Sequence, residues 1–247
     1  MKLSVIIGAT GDIGRACAIT LAERKWELIL IGRDKTKLQD VASEVRVRGG
    51  GGEEPYIAHL ELSRLLDLQS VLRVIASDHP VIHGLVNAAG VHGKSWDALD
   101  IESWRRTLDI NLNSCFVAIK EFHKCLAAAE NSSIVNITSL ASKEGYQKAD
   151  YAASKAALDS LTRSLAVILA PGGVRVNSLA PGPVEGKMTG NWTEERKKQM
   201  VEYIPLRRFA DPHEIARIVS FLLSDDSSYI NGSIIDAHGG LGCRFSP

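Results

Sequence analysis

Short apolar runs alternate along the chain with longer stretches of helical period. The first run, residues 3–7, is rich in β-branched side chains and reads as a buried strand. A turn, Gly8-Ala9-Thr10-Gly11-Asp12-Ile13-Gly14, follows, and apolar positions at Ala16, Ile19 and Leu21 carry a helix to about Arg24. The pattern repeats, with strands at residues 27–31, 56–60, 81–86, 133–137, 174–179 and 229–236. Helices fall between them, from about residue 35 and at 64–77, 101–129, 149–170 and 211–223. The four glycines at 49–52 read as a flexible loop. Residues 185–204 are polar, weakly periodic and carry Trp192; they are either a substrate lid or a surface excursion. Strands alternating with helices predict an α/β fold, a doubly wound parallel sheet of about seven strands with helices on both faces. One domain over residues 1–247 is the expectation at this length.

Composition narrows the function. Hydrophobic residues make up 45% of the chain, enough for a sizeable core. The 29 basic and 29 acidic residues cancel and form no basic stripe, which argues against a nucleic-acid partner. The four cysteines, Cys17, Cys115, Cys125 and Cys243, are scattered, and no His/Cys spacing suits zinc, so the reading is a cytoplasmic chain with no metal. The apolar start is too short for a signal peptide or a membrane span, so no membrane partner is expected.

Candidate chemistry gathers at strand ends. Glycines between a strand and a helix let backbone approach a pyrophosphate at the positive end of that helix; an ordinary tight turn is the competing reading. At the end of the second strand stand Gly32, Arg33 and Asp34. Arg33 is placed to accept a ribose 2′-phosphate, which favours NADP(H) over NAD(H), unless it is simply a solvated side chain; Asp34 is placed to cap the next helix. Asn87-Ala88-Ala89-Gly90, Thr138-Ser139 and Ala180-Pro181-Gly182-Pro183 close three further strands, and small residues there leave room for a ligand. Asn111 lies among Leu108, Ile110 and Leu112 and needs a polar partner. Tyr151 and Lys155 are four residues apart and share a helix face. An ammonium beside a phenol stabilises the phenolate and makes a proton-transfer device, whereas the plain alternative is a surface lysine beside a packing tyrosine.

Taken in order, these motifs resemble the short-chain dehydrogenase/reductase family in its compact branch, over nearly the whole chain. The resemblance rests on residues 8–14, Asn87 to Gly90, Asn111, Ser139, Tyr151-x-x-Ser-Lys155, Pro181-Gly182 and the closing Asp236-Ala237-His238-Gly239-Gly240. It implies a Rossmann-type fold, with Tyr151 as general acid, Lys155 lowering its pKa and holding the nicotinamide ribose, Ser139 binding the substrate oxygen and Asn111 binding a water of a proton relay. It further implies cofactor contacts at Gly8, Thr10, Gly11, Asp12, Ile13 and Gly14, at Glu61 and Leu62, at Asn87, Ala88, Ala89 and Gly90, and at Pro181, Gly182 and Val184. A homotetramer assembled through the two long helices and the last strand is the family's usual state.

The chain departs from the family pattern in several places. Asp12 occupies the middle glycine position, where a carboxylate repels phosphates unless it turns away or caps the first helix. Gly186 replaces a frequent threonine that touches the nicotinamide amide. Ser139 stands one residue closer to Tyr151 than is usual, with Thr138 as the competing position. Arg33 alone carries the NADP preference, with Arg15 as a helper. His238 replaces an acidic residue and reads as an interface or surface histidine.

Residues 205–209, Pro-Leu-Arg-Arg-Phe, resemble 3-oxoacyl-(acyl-carrier-protein) reductases. The expectation is therefore an NADPH-dependent carbonyl reductase, running in reverse as an alcohol dehydrogenase, with a 3-oxoacyl thioester as first substrate. A sugar, a secondary alcohol or a natural-product ketone is the alternative. Arg105, Arg106 and Lys148 are candidates for a basic entrance patch, or plain solvated charges. A catalytically inactive nucleotide-binding sensor is the reading from another class; the four polar residues of the motif set argue against it. An extended-branch epimerase would need a larger C-terminal domain, for which a chain ending at Pro247 is expected to leave no room.

Overall fold

The computed structural model describes residues 1–51 and 54–243. Seven strands form one parallel sheet: β1 (Leu3–Ile7), β2 (Glu27–Gly32), β3 (Tyr56–His59), β4 (Gly84–Asn87), β5 (Ser133–Ile137), β6 (Arg175–Pro181) and β7 (Ile234–Ala237). Their order is β3-β2-β1-β4-β5-β6-β7, the Rossmann type. Parallel neighbours require crossovers, and the helices provide them: α1 (Asp12–Glu23), α2 (Lys35–Arg48), α3 (Leu65–Asp78), α4 (Ile101–Leu108), α5 (Ser114–Ala127), α6 (Ala149–Leu169) and α9 (Pro212–Leu223). Two shorter helices, α7 (Lys187–Gly190) and α8 (Glu194–Tyr203), fall in the polar segment.

Alternation within each strand divides the core in two. Val5 and Ile7 of β1 face α3 and α5, packing with Leu68, Leu72 and Phe122, while Ile6 faces α1, α2 and α9 with Leu21, Leu38 and Val219. Both faces are thus covered, as an all-parallel sheet requires. The chain moves outward in one direction from β1 to β3 and in the other from β4 onward. The crevice at that reversal, beyond the carboxyl ends of the strands, is where such sheets bind ligands.

Three elements differ from the periodicity reading. The helix expected over 101–129 is interrupted by a π-helical turn, Asp109–Asn113, which carries Asn111 fully inside. The fourth strand enters the ladder only at Gly84, where a side chain would collide with Ser4 and Trp26. The last strand begins at Ile234 rather than near 229. Gly232 at φ +76 and Asn231, whose side-chain oxygen accepts the Val176 N–H, turn the chain before it joins the sheet. Of the glycine loop, Gly49 caps α2 and Gly50 and Gly51 adopt positive φ, while Gly52 lies outside the described residues. Among the described residues no helix is long and apolar enough to cross a membrane.

Candidate active site

The carboxyl edge of the sheet opens into a groove of about 2130 Å³, larger than a single small-ligand pocket of roughly 300–1,000 Å³. At its centre Gly8, φ +85, follows the end of β1, and the N–H groups of Gly8 and Ala9 both donate to the Ile31 carbonyl at 2.8 and 3.0 Å. A Cβ on Gly8 would press on the Ala89 backbone, and one on Gly14 would overlap the Gly8 carbonyl. The turn, the end of β4 and the start of α1 therefore meet backbone to backbone. Gly11, the N-cap of α1, offers no side-chain cap. The first-turn N–H groups of α1 are left for an anion, and a dinucleotide pyrophosphate fits that need. Thr10, Gly11, Ile13, Ala88, Ala89 and Gly90 line the groove beside it, and Glu61 and Leu62 line it at the end of β3. Pro181, Gly182 and Val184 line it beyond β6.

Three of the residues named for cofactor contact also take part in packing of their own. Asp12 is the first residue of α1, so it does not cap that helix; it lines the groove, and its Oδ2 accepts the Lys187 N–H at 2.7 Å. The Asn87 side chain is buried and donates to Asn136 Oδ1 at 2.8 Å, and so faces the sheet's interior polar network. Gly14 likewise lies behind the turn, packed on Gly8.

At the adenosine end Arg33 is exposed and, among the described residues, has no ion-pair partner. Asp34 caps α2 as expected, accepting the Lys37 N–H at 3.1 Å, and pairs with the Lys37 ammonium at 2.8 Å. Lys37 lines the same stretch of groove, a second cation the sequence did not single out. Arg15, named as its helper, pairs with Glu44 on α2 at 2.6 Å.

On the other side stand the four polar residues of the motif set. The π-helical turn points Asn111 at the loop after β4, where its amide accepts the Val91 N–H at 2.8 Å and donates to the Val91 carbonyl at 3.1 Å and to Ser154 at 3.0 Å. Lys155 is buried and donates to the Ile137 carbonyl at 2.8 Å. Gly90 leaves one space open to both: a Cβ there would lie 3.5 Å from Lys155 Nζ and 3.6 Å from Asn111 Oδ1. Ser139 caps a 3-10 turn by accepting the Ala141 N–H at 3.2 Å, which leaves its own proton available. Thr138, the competing hydroxyl, is buried and donates to the Leu179 carbonyl. Tyr151 is 8% exposed and faces the groove.

Charge in this site follows burial. Burial pushes the Tyr151 phenol above the ordinary tyrosine range, the Ser139 hydroxyl works against that rise and Tyr146 adds to it. Lys155 sits 5.8 Å from the Tyr151 ring centroid and is itself pushed down by burial. Desolvation of the phenol sets the direction of the Tyr151 shift, and the hydroxyl of Ser139 is what opposes it.

Sequence reasoning missed the chemistry of one wall of the groove. His92 Nε2 and the Tyr146 hydroxyl are hydrogen-bonded at 2.6 Å, and both rings meet Tyr151 with centroids at 5.3 and 5.8 Å. Desolvation, Lys148 and Arg196 push His92 below the usual histidine range. Across the groove the Arg196 guanidinium lies over the Trp192 ring at 4.3 Å. The signal for His92 and Tyr146 was their place in loops after two strand ends; their pairing across 54 residues left none.

The comparisons with known proteins agree with this geometry. A family profile described as Enoyl-(Acyl carrier protein) reductase matches residues 8–242. The 3-oxoacyl-(acyl-carrier-protein) reductase FabG of Aquifex aeolicus is 34% identical over 245 residues, 97% of each chain. The cyclohexanol dehydrogenase of Acinetobacter sp. strain SE19 is 32% identical over 94% of this chain and 91% of its own. Among solved structures, a short-chain type dehydrogenase/reductase from Mycobacterium ulcerans superposes with a TM-score of 0.90 at 25% identity, covering 100% of this chain and 91% of that one. An actinorhodin polyketide ketoreductase variant with NADPH superposes at 0.89, with 26% identity and 98% of both chains covered.

Proposed function

The chain belongs to the short-chain dehydrogenase/reductase family of oxidoreductases, and on that premise we propose that it is an NADPH-dependent carbonyl reductase with Tyr151 as its general acid. The observation that carries this reading is the meeting of Ser139, Tyr151 and Lys155 in the groove that also holds the uncapped N-terminus of α1. The nicotinamide, when bound, supplies the hydride. Ser139 orients the ketone oxygen through its available proton, and Tyr151, kept protonated by burial, delivers its proton to that oxygen. Lys155 holds the ribose side and, with Asn111, faces the space beside Gly90 through which a water refills the phenol. Arg33, with Lys37 beside it, receives a ribose 2′-phosphate, which is the basis for NADP(H) over NAD(H). The NADPH named with the actinorhodin ketoreductase agrees with that preference.

A 3-oxoacyl thioester is the first substrate, on the likeness to FabG. Residues 205–209 support it only indirectly: Arg208 is taken by Glu214, and Phe209 packs edge-on against Trp192 at 5.9 Å. A cyclic or secondary alcohol is the second reading, favoured by the cyclohexanol dehydrogenase and by the ring-lined wall of His92, Tyr146 and Trp192. The enzyme is read as cytoplasmic, as one domain with residues 185–204 over the substrate, and as a homotetramer, whose helix contacts would cover the exposed Phe116, Val167 and Ile168. The test is oxidation of NADPH or NADH by the purified protein with acetoacetyl thioester and with cyclohexanone. Turnover with the thioester and NADPH supports the first reading, cyclohexanone alone supports the second, and a preference for NADH overturns the role of Arg33.

A further inference from the structure

We propose that Asp12 is a positioning residue that fastens the outer wall of the substrate pocket to the phosphate-binding turn, and that position 186 is glycine because this contact requires it. Asp12 opens α1, yet its carboxylate turns outward and accepts the Lys187 N–H at 2.7 Å, across 175 residues of sequence. Lys187 begins α7, and its N-cap, Gly186, has no side chain to cap with. Asp12 therefore caps, through a carboxylate oxygen, a helix it does not belong to. Gly186 stands at φ +141, a conformation that side chains rarely adopt, and a Cβ there would overlap the Asp12 carboxylate. Two departures from the family pattern, an acid at 12 and a glycine at 186, thus form one unit.

The contact is passed along the segment. The Thr189 hydroxyl donates to the Val184 carbonyl at 2.9 Å, and the Gly190 N–H donates to the Gly186 carbonyl at 2.7 Å. Thr189 is buried, and Trp192 then meets Phe209. The residues that this unit holds in place, Met188, Trp192, Arg196 and Met200, line the substrate half of the groove. Asp12 thereby sets the position of that wall from the cofactor side. Only the meaning for catalysis rests on the reductase reading; the contact itself is open to test without cofactor.

The test is limited trypsinolysis of the full-length, cofactor-free protein, with cleavage after Lys187, Arg196 and Lys198 followed by mass spectrometry. Asp12→Ala should raise cleavage at these sites about tenfold, the scale of a lost hydrogen bond to a charged group. Asp12→Asn keeps an oxygen acceptor without the carboxylate and should fall between wild type and Asp12→Ala, at about threefold above wild type. Gly186→Ala should also raise cleavage about tenfold, because its methyl group displaces the same contact. Joined to Asp12→Ala its effect should be smaller than the product of the two single effects, because the shared contact is lost only once while the strain at φ +141 remains. Wild-type cleavage in Asp12→Ala, Asp12→Asn cleaved as fast as Asp12→Ala, or a rise spread over the whole chain overturns the proposal. Should Asp12→Ala fail to fold, Gly186→Ala cleaved at the wild-type rate overturns it. None of these outcomes depends on NADPH turnover, so failure here and failure of the reductase reading remain distinguishable.

Discussion

Lys155 shows a side chain held against its own stability. The residue is 3% exposed, its ammonium has one hydrogen bond among the described residues, to the Ile137 carbonyl, and burial pushes its pKa down. A buried charge without full compensation costs stability. Lys155→Met should therefore raise the stability of the cofactor-free protein at neutral pH by about 1 kcal/mol or more, read by thermal or urea unfolding. The sign with pH is fixed. The folded lysine loses its proton before the unfolded one, so the unfolded state binds more protons between the two pKa values, and wild-type stability rises with pH there. The advantage of the Met variant should shrink as the pH approaches the ordinary lysine range, about 10.4. A variant less stable than wild type at pH 7 would mean that the ammonium is fully compensated. At this scale the motif residues were legible, because each sits at a strand end or on a helix face that periodicity locates. What was not legible was the partner across the fold: Glu44 for Arg15, Asn136 for Asn87, Lys187 for Asp12 and Tyr146 for His92. Sequence order says nothing about which loops meet above the sheet.

Among the elements, α9 has the most complete terminus. Asp211 accepts the His213 N–H, Glu214 returns a bond to the Asp211 N–H at 2.9 Å, and Pro212 opens the helix. Arg208 and the Asp211 backbone hold the Glu214 carboxyl down to about 2. Glu214→Ala should destabilise the protein by about 1 kcal/mol through the lost cap. The ion pair adds little, because Arg208 is half exposed and screened. A depressed carboxyl stabilises above its unfolded pKa, so the wild-type advantage should be full at neutral pH and fade as the pH falls from about 4.5 towards 2. Equal unfolding midpoints at pH 7 would show that the cap contributes nothing. Asp211-Pro212 made this helix start readable in sequence, and its apolar stripe packs on α1. The break at residues 109–113 was hidden because the apolar period runs on across it. The polar segment resolves into α7 and α8, whose weak periodicity reflects helices with little apolar surface to bury; α8 has no buried residue.

For the whole molecule, strand–helix alternation was enough to give a doubly wound parallel sheet, because parallel neighbours need covered crossovers. The strand order follows from the topology and fixes the groove between β1 and β4. That groove spans from Arg33 to Trp192, so a ligand bound along it would touch both halves of the sheet and should stabilise the whole fold. Saturation at about 100 times the dissociation constant adds about 2.7 kcal/mol. NADPH should raise the unfolding temperature more than NADH at equal concentration, and Arg33→Ala should bring the two shifts together. A larger shift with NADH in the wild type would reverse the cofactor assignment while leaving the fold untouched.

Proton delivery by Tyr151 is tested most directly by Tyr151→Phe, with turnover and NADPH affinity measured on the same sample. Turnover should fall by about 10²–10⁴-fold, the range for a general acid, with NADPH binding within about twofold of wild type. Turnover at the wild-type rate would contradict the role of Tyr151 as the acid.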